Sequence, residues 1–334
     1  MKVKKEGLLM GYVIGIDLGG TFIKAAALDP TGKVKARSRV PTEVSGGHER
    51  VVANMLATVK GLEREMGGET PMGLGIGVPG VLDLEGGIVI KSPNFPGWEG
   101  FPLKEMLLMA LPYPVVLEND ANAAAVGEQW LGAGRGKSNF LFITLGTGVG
   151  GGLIIDGALW KGTGGKAGEF GHMVVEPDGP QCGCGGHGCL EVYASAQGIV
   201  RMAHEALKAG KASLIREWAD KEGKIIDPEL VAQAALQGDS LALEVYGKLG
   251  RYLGIAIVDV INLLDLNFFI LGGGISHAFP YFIAPLMQEV KGRIFGISVE
   301  EIQVVKAQCG EDAGLLGAGY LSLSKDKGKT GVLV

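Results

Sequence analysis

The chain has 334 residues, of which 47% are hydrophobic and 20% charged, with a formal net charge of −5 and 57 glycines. This length suffices for two domains, and the negative charge argues against nucleic acid as a partner, because that function needs a basic face. No apolar run reaches the ~20 residues of a membrane span. The apolar stretch after the basic start contains Asp17 and a glycine turn, unlike a signal peptide. With four cysteines, we expect a cytoplasmic protein.

The first segment of the chain predicts a strand, a glycine turn and a second strand. Two short apolar runs flank Gly19-Gly20-Thr21, and the second run ends in residues typical of a turn. In chain order, the elements expected in this part are strands at 12–17, 23–28, 34–40, 72–78 and 115–117, and helices at 49–66 and 121–130.

A later segment repeats this device at an offset of 127 residues. Leu18-Gly19-Gly20 aligns with Leu145-Gly146-Thr147, and strands are expected at 140–145 and 153–156. The repeat indicates an internal duplication of one α/β domain, with the two glycine turns on opposite walls of one cleft. The rest is expected to be mostly helical at 191–261, then a strand at 267–271, a helix from about 276, a strand at 302–307, a closing helix at 312–323 and a frayed tail at 324–334.

Two glycine-rich matches to nucleotide-binding motifs are misleading. Gly146–Gly151 fits the dinucleotide fingerprint, but that motif must open a helix, and here an apolar strand pattern follows. Gly132–Ser138 resembles a P-loop, but the first required glycine is Leu131 and a strand follows. We interpret the second stretch as a basic surface turn.

Three short glycine turns are candidates for phosphate binding: Gly19-Gly20-Thr21, Gly146-Thr147-Gly148 and Gly272-Gly273-Gly274. Such turns expose backbone N–H groups that bind anions, and three of them together favour a nucleotide with several phosphates. Asp17 precedes the first turn, where phosphates would repel a carboxylate unless a cation intervened. Asp17 is therefore either a partner of Mg²⁺, reached through water, or an acceptor for the turn's own N–H groups.

Asn119 and Asp120 lie where a strand ends and the Ala-rich helix begins. The residue types leave two functions open for Asp120. It either caps the helix or acts as a general base for phosphoryl transfer to a hydroxyl, kept ionised by the helix N-terminus.

A Cys-x-Cys-x4-Cys pattern with a histidine ten residues upstream predicts a structural zinc site. His172, Cys182, Cys184 and Cys189 supply four tetrahedral ligands, which leaves no open position on the metal. Unliganded cysteines are the alternative, and a disulfide between Cys182 and Cys184 is geometrically poor. His187 is a rival ligand to His172. Cys309 is interpreted as a core residue.

These segments together resemble the ROK family of repressors, uncharacterised reading frames and sugar kinases. The matching motifs cover the chain from Tyr12 to the closing helix; they are Asp17–Thr21, Val78–Gly80, Glu118–Ala125, Gly146–Gly148, Gly168–His172 and Cys182–Glu191. The resemblance implies an α/β, actin/hexokinase-like (ribonuclease H-like) fold of duplicated domains, with ATP, Mg²⁺ and structural Zn²⁺. It implies phosphorylation of a hexose on its 6-hydroxyl, with glucose the first expectation, and it favours His172 over His187 as the zinc ligand.

The resemblance also assigns roles to individual residues. It places the catalytic base on Asp120 and the nucleotide on the three glycine turns, Gly273 and Gly274 included. It places sugar contacts on Gly80, Asn94, Asn119, Asp120, Glu169, His172 and Glu191. One departure is Phe22, where many members have Lys, and Lys24 is not an evident replacement.

The expected domains are residues 1–118, with the C-terminal helix at 312–334 packing back on them, and residues 119–311, which contain the zinc loop. A start of the first strand at Tyr12 leaves no room for a DNA-binding helix-turn-helix, which favours a kinase over a repressor. The alternatives are a kinase for mannose, fructose, N-acetylmannosamine or N-acetylglucosamine, and a sugar sensor without turnover. The family expectation is a homodimer or homotetramer.

Overall fold

The structure of the chain is a computed structural model that describes residues 11–323. The expected frayed tail lies outside the described residues. The strands are β1 (Val13–Leu18), β2 (Phe22–Leu28), β3 (Val34–Pro41), β4 (Leu74–Val78), β5 (Val81–Asp83), β6 (Ile88–Lys91), β7 (Val115–Asn119), β8 (Phe140–Leu145), β9 (Val149–Ile155), β10 (Ala158–Leu159), β11 (Phe268–Gly272) and β12 (Gln303–Lys306). The α-helices are α1 (Gly47–Glu65), α2 (Leu103–Leu108), α3 (Asp120–Leu131), α4 (Glu191–Ala194), α5 (Ala196–Lys208), α6 (Leu214–Glu222), α7 (Pro228–Leu236), α8 (Ser240–Leu264), α9 (Phe279–Arg293) and α10 (Ala313–Leu323).

The first five-stranded sheet has the order β3-β2-β1-β4-β7. β1 and β2 form an antiparallel hairpin, whereas β1, β4 and β7 run parallel. Every residue of β4 is buried, as expected for a central parallel strand covered on both faces. The parallel register places Asp17 beside Gly77, and Gly77 beside Glu118.

Helix α10 packs closely against β1 and β4 because two strand positions are glycine. A Cβ at Gly15 would lie 1.9 Å from the carbonyl oxygen of Leu315, and one at Gly75 would lie 1.7 Å from that of Ala318. No other residue fits such an approach of backbone to backbone. The buried stripe of α1 belongs to a different hydrophobic cluster, which contains Ile14 and Ile16, whereas Leu315 of α10 packs in a cluster with Val13.

The second five-stranded sheet has the order β10-β9-β8-β11-β12, which is the order of the first sheet repeated. The 127-residue offset maps the bounds of β1 onto those of β8, and the bounds of β2 onto those of β9. The predicted duplication is therefore present in strand order and in strand length. One prediction was wrong in detail: a strand was expected only from Leu153, whereas β9 begins at Val149 and includes three glycines. Pairing in the sheet overrides their low strand propensity.

Residue contacts divide the chain into two compact units. Among the described residues, the first unit consists of 11–139, 152–167 and 308–323, and the second of 140–151 and 168–307, so the division falls within β9. The predicted domains placed α3 with the second part of the chain, whereas here it belongs to the first unit because it packs against α10 and β4. No helix among residues 11–323 combines the length and the apolar character of a membrane span.

Candidate active site and metal centre

In the first unit, the carboxyl ends of three parallel strands bring the predicted residues to one edge of the sheet. Asp17 lies near the end of β1, Gly80 follows β4, and Asn119 ends β7. The register pairs Val78 with Asn119. In open α/β sheets this edge is where ligands bind.

The first glycine turn is held by hydrogen bonds to its own hairpin and to the end of β3. The N–H of Gly19 donates to the carbonyl of Phe22 at 3.0 Å, and Oγ1 of buried Thr42 donates to the carbonyl of Gly19 at 2.6 Å. A Cβ at Gly20 would lie 3.5 Å from Cβ of Asn94, so Asn94 lies against the first glycine turn. Thr42 was missed from sequence, because only the β2–β3 pairing brings it to this turn.

Asp17 is in an electrostatically unfavourable place. Burial, reinforced by the charge of Asp120 and opposed by that of Lys24, raises the pKa of the Asp17 carboxyl to about 6. Two carboxylates close enough to affect one another favour a cation between or beside them. The chemistry of these two carboxylates fits a divalent cation such as Mg²⁺.

The departure at Phe22 has a structural counterpart. The guanidinium of Arg39 lies 4.0 Å from the centroid of the Phe22 ring, a cation–π arrangement. Nζ of Lys24 lies 2.8 Å from a carboxylate oxygen of Glu311. Lys24 is therefore held in an ion pair, and the positive charge beside Phe22 is that of Arg39.

The N-cap of α3 is Asn119, and the Asp120 carboxylate also binds a backbone N–H of the first turn. Oδ1 of Asn119 accepts from the N–H groups of Ala121 at 3.0 Å and Asn122 at 3.1 Å, and the N–H of Ala121 also donates to Oδ1 of Asp120 at 2.9 Å. Nδ2 of Asn119 donates to the carbonyl of Gly80 at 3.2 Å. Asp120 is the first helical residue, where the helix dipole favours its ionised form.

In the second unit, the glycine turn after β8 closes through a bond from the N–H of Gly146 to the carbonyl of Gly148, at 3.0 Å. Thr147 lies exposed at its tip. A Cβ at Gly273 would lie 2.3 Å from the carbonyl of Leu145, so Gly273 and Gly274 lie beside this turn. Neighbouring parallel strands β8 and β11 account for this placement, since both end at the same edge.

Glu191 links this glycine turn to the cysteine cluster. Its Oε2 accepts from the N–H of Val149 at 3.0 Å, and its Oε1 lies 3.7 Å from Sγ of Cys182. Glu169 immediately precedes a short 3-10 helix, Phe170–His172, and its carbonyl accepts from the N–H of His172 at 3.0 Å. The second unit therefore brings Glu169, His172 and Glu191 to the neighbourhood of the cluster.

His172, Cys182, Cys184 and Cys189 form a group whose ligand atoms all lie within 4.8 Å of one another. Sγ of Cys184 lies 3.7 Å from Sγ of Cys189, and Nδ1 of His172 lies 3.7 Å from Sγ of Cys182. Tetrahedral zinc with bonds of about 2.3 Å to sulfur requires sulfur–sulfur distances of about 3.8 Å. The donor types and spacing fit a metal ion of that kind.

The cysteine loop is shaped by glycines and excludes the rival histidine. A Cβ at Gly188, where φ is +65°, would lie 1.5 Å from the carbonyl of Glu176. His187 is exposed, and its Nδ1 lies 3.4 Å from the carbonyl of Gly179 instead of joining the four donors. Burial raises the pKa of the Cys182 thiol to about 12, so a cation is needed to hold this residue as a thiolate.

The predicted residues thus form two groups, one in each unit. The first unit holds Asp17, Gly19, Gly20, Thr21, Gly80, Asn94, Asn119 and Asp120, and the second holds Gly146, Thr147, Gly148, Glu169, His172, Cys182, Cys184, Cys189, Glu191, Gly273 and Gly274. Neither of the two misleading motifs opens a helix. Strand β9 follows Gly148, and Gly132–Ser138 lies in the connection from α3 to β8.

Comparison with known proteins agrees with this architecture. A glucokinase of Thermotoga maritima is 41% identical over 309 residues, covering 92% of this chain and 96% of the relative. A ROK family glucokinase from Streptomyces griseus, solved with glucose and AMPPNP, superposes with a TM-score of 0.79 at 38% identity, covering 93% of this chain and 99% of that one. A ROK hexokinase from Thermus thermophilus superposes with a TM-score of 0.79 at 33% identity, covering 95% and 99%.

The predicted α/β fold is confirmed as the actin/hexokinase-like fold of these structures. The sequence profile described as the ROK family matches residues 13–325, nearly the whole chain. The chain belongs to the ROK family.

Proposed function

We propose that this protein transfers the γ-phosphoryl group of ATP to the 6-hydroxyl of glucose. The observation that carries the proposal is the similarity, over nearly the full length of both chains, to a glucokinase that was solved with glucose and AMPPNP. The chain retains the residues that such a reaction needs: a carboxylate at a helix N-terminus, glycine turns and polar sugar-binding groups.

Asp120 acts as the general base in this mechanism. As the sugar oxygen forms its bond to the γ-phosphorus, the bond to ADP breaks and the hydroxyl proton passes to the Asp120 carboxylate. Two features support the assignment. Asn119 caps α3 with two hydrogen bonds, while Asp120 Oδ1 accepts one from the N–H of Ala121, and the N-terminal end of α3 favours the ionised form that must accept the proton.

The glycine turns bind the triphosphate through their backbone N–H groups, and Asp17 orients the metal. Bound together with ATP, Mg²⁺ supplies charge neutralisation at the β- and γ-phosphates. Asp17 would hold that ion through water, and the positive charge would oppose the burial and the Asp120 charge that raise the pKa of its carboxyl. Gly19–Thr21, Gly146–Gly148 and Gly273–Gly274 would serve the phosphates.

Glu169, His172 and Glu191 bind the sugar hydroxyls, and Asn119, Gly80 and Asn94 are the other sugar-binding residues of the proposal. Zinc, when bound by His172 and the three cysteines, supplies structural bracing and no reaction step, since four protein ligands complete its coordination. Because Nδ1 of His172 faces Cys182, the other ring nitrogen remains to donate to a hydroxyl. Carboxylates of Glu169 and Glu191 accept from neighbouring hydroxyls.

The assembly and location of the protein stay predictions. We expect a homodimer or homotetramer in the cytoplasm, since the family resemblance implies the first and the small number of cysteines favours the second. Light scattering after size exclusion measures the oligomeric state directly.

A coupled assay of ADP release across glucose, mannose, fructose, N-acetylmannosamine and N-acetylglucosamine tests the proposed function. We expect the highest kcat/KM with glucose, and an Asp120→Asn variant should lose about 1,000-fold in kcat while glucose still binds in calorimetry. Asp259→Asn, an exposed carboxylate on α8, is the matched control. Near-normal turnover in Asp120→Asn would remove Asp120 from the mechanism, and a preference for another sugar would overturn the choice of glucose.

A further inference from the structure

Glu118 is a buried residue that immediately precedes Asn119 and the proposed base Asp120. Its side chain is 2% exposed, and its Oε1 accepts from the backbone N–H of Asn119 and from Nδ2 of Asn122, both at 3.1 Å. Its Oε2 lies 2.6 Å from Nζ of Lys161. One carboxylate thus joins the end of β7, the first turn of α3 and a lysine 43 positions later in the chain.

The groups around both oxygens of Glu118 are hydrogen-bond donors, which suits an ionised carboxylate. Three N–H groups approach two oxygens, and a carboxylate is acceptor-only on both. Lys161 supplies the countercharge that a buried anion requires. Because a backbone amide and an asparagine cannot provide that charge, the ion pair explains why an acidic residue is tolerated there.

We infer that Glu118 and Lys161 act as positioning residues for the Asp120 base, an inference that rests on the proposed function. Glu118 holds the peptide N–H of Asn119 and the side chain of Asn122, which lie on either side of Asp120. Asn119 in turn caps α3 and binds the carbonyl of Gly80. The groups that set the direction of Asp120 therefore depend on one carboxylate and on its charge partner.

Lys161 extends the same connection to the loop after β10. The carbonyl of Lys161 accepts from the N–H of Ala167 at 3.0 Å, which closes residues 161–167 into a loop within the first unit. The ion pair therefore fixes the start of this loop against β7, the strand that leads into Asp120. Loss of the lysine would leave the buried carboxylate of Glu118 without a countercharge, which is strongly destabilising.

The other end of α3 provides a matched control. Glu128 is fully buried and also holds three N–H groups, those of Ala133 at 2.7 Å, Gln308 at 3.1 Å and Cys309 at 2.7 Å. Its bonds fix the C-terminal end of the helix, away from Asp120. A purely structural effect of losing a buried carboxylate should therefore be similar in Glu118→Gln and Glu128→Gln.

Glu118→Gln keeps the shape of the side chain but replaces one acceptor oxygen with an NH₂ group. If the remaining oxygen faces Lys161, the NH₂ group faces the donors of Asn119 and Asn122, which then lack an acceptor. We expect kcat to fall about 30-fold with KM for ATP changed less than about twofold, because the base is displaced and the phosphate sites are not. Lys161→Met should behave similarly, and Lys161→Arg should restore most of the turnover.

The experiment measures kcat and KM for glucose and ATP in the full-length, metal-loaded variants, with thermal unfolding to compare stability. It also follows amide hydrogen exchange of residues 119–122, whose N–H groups at Asn119, Ala121 and Asn122 donate to side chains. We expect faster exchange there in Glu118→Gln and unchanged exchange in Glu128→Gln.

Equal losses of kcat in Glu118→Gln and Glu128→Gln would overturn the positioning role, as would unchanged exchange at 119–122. If the wild-type protein phosphorylates no hexose, the proposed function fails. The exchange measurement still decides in that case whether Glu118 and Lys161 hold the turn.

Discussion

The two glycine hairpins of the duplicated sheets share a backbone but differ in the chemistry that they carry. β1 and β2 have the same lengths as β8 and β9, and the corresponding sheets have the same strand order. The offset of 127 residues aligns Asp17 with Thr144. The first hairpin therefore has a carboxylate where the second has a hydroxyl.

The two turns are also supported by different groups. The first is bonded to Thr42 at the end of β3, whereas the second strand of the other hairpin begins at an N–H held by Glu191. The two copies thus share the scaffold that exposes backbone N–H groups, but a hydroxyl supports the first and a carboxylate supports the second. In the proposed function, the first hairpin supplies Asp17 for Mg²⁺, and the glycine turn of the second binds phosphate next to Glu191, which binds the sugar.

Among the differences between the two hairpins, that between Asp17 and Thr144 gives the largest expected effect. Asp17→Asn removes the carboxylate that faces Asp120 and the proposed Mg²⁺, so we expect kcat to fall about 100-fold or more. Thr144→Val, at the equivalent place in the second hairpin, should change kcat less than about threefold. Steady-state assays at several Mg²⁺ concentrations measure both. Comparable losses in the two variants would show that the hairpins are not differentiated in this way.

The second largest effect is expected from loss of the metal, which should disturb the second hairpin because Glu191 contacts both Cys182 and the start of β9. Cys184→Ala is expected to release the ion, lower the melting temperature and weaken glucose binding about tenfold or more. Metal analysis and calorimetry with glucose provide the measurement. Cys309→Ala, outside the cluster, should retain the ion. Unchanged sugar affinity in a metal-free protein would contradict the role of the cluster as a scaffold for His172.

Much of this comparison was predictable from sequence because it depends on local patterns. The repeat of apolar runs around glycine turns predicted both hairpins, and the spacing of the cysteines predicted a cluster that the structure brings together. Asp120 at a strand-to-helix junction was predicted as well, but the division of the first-turn N–H groups between Asn119 and Asp120 depends on side-chain geometry that the sequence does not reveal.

The contacts that the sequence did not reveal are those made by ordinary residues far apart in the chain. Thr42 and Lys161 belong to no recognisable motif, and each becomes significant only through sheet pairing or through a loop that returns to β7. The glycines at the start of β9 were assigned to a turn because glycine has low strand propensity, yet pairing in the sheet decides their conformation.

Two glycines of the second hairpin should respond differently to an added methyl group. A Cβ at Gly148 would lie 2.5 Å from Oε2 of Glu191, whereas one at Gly146 has no neighbour within 4 Å among the described residues. We expect Gly148→Ala to displace Glu191 and raise KM for glucose about tenfold, and Gly146→Ala to change it less than about twofold. Kinetics with glucose as the varied substrate distinguish them. A larger effect at Gly146 would mean that Glu191 is not the sensitive group.

The smallest expected effect concerns stability and its dependence on pH. Because the pKa of Asp17 is raised to about 6 in the folded protein, ionisation of this carboxyl disfavours the folded state. Without nucleotide or Mg²⁺, Asp17→Asn should therefore be more stable than the wild type above about pH 6. We expect a gain of about 1 kcal/mol, below the full value of such a shift, because water screens a partly exposed carboxylate.

That gain should shrink as the pH falls from about 6 towards about 4, because the wild-type carboxyl then takes up a proton in the folded state. Urea unfolding of both proteins across this range measures the difference, and Thr144→Val supplies the comparison with the second hairpin. Its stability relative to the wild type should not change over the same range, since its hydroxyl does not titrate. If Asp17→Asn were instead less stable at neutral pH, the ionised carboxylate would stabilise the protein even without Mg²⁺ and nucleotide. The idea that this carboxylate is unfavourable until a cation binds would then be wrong.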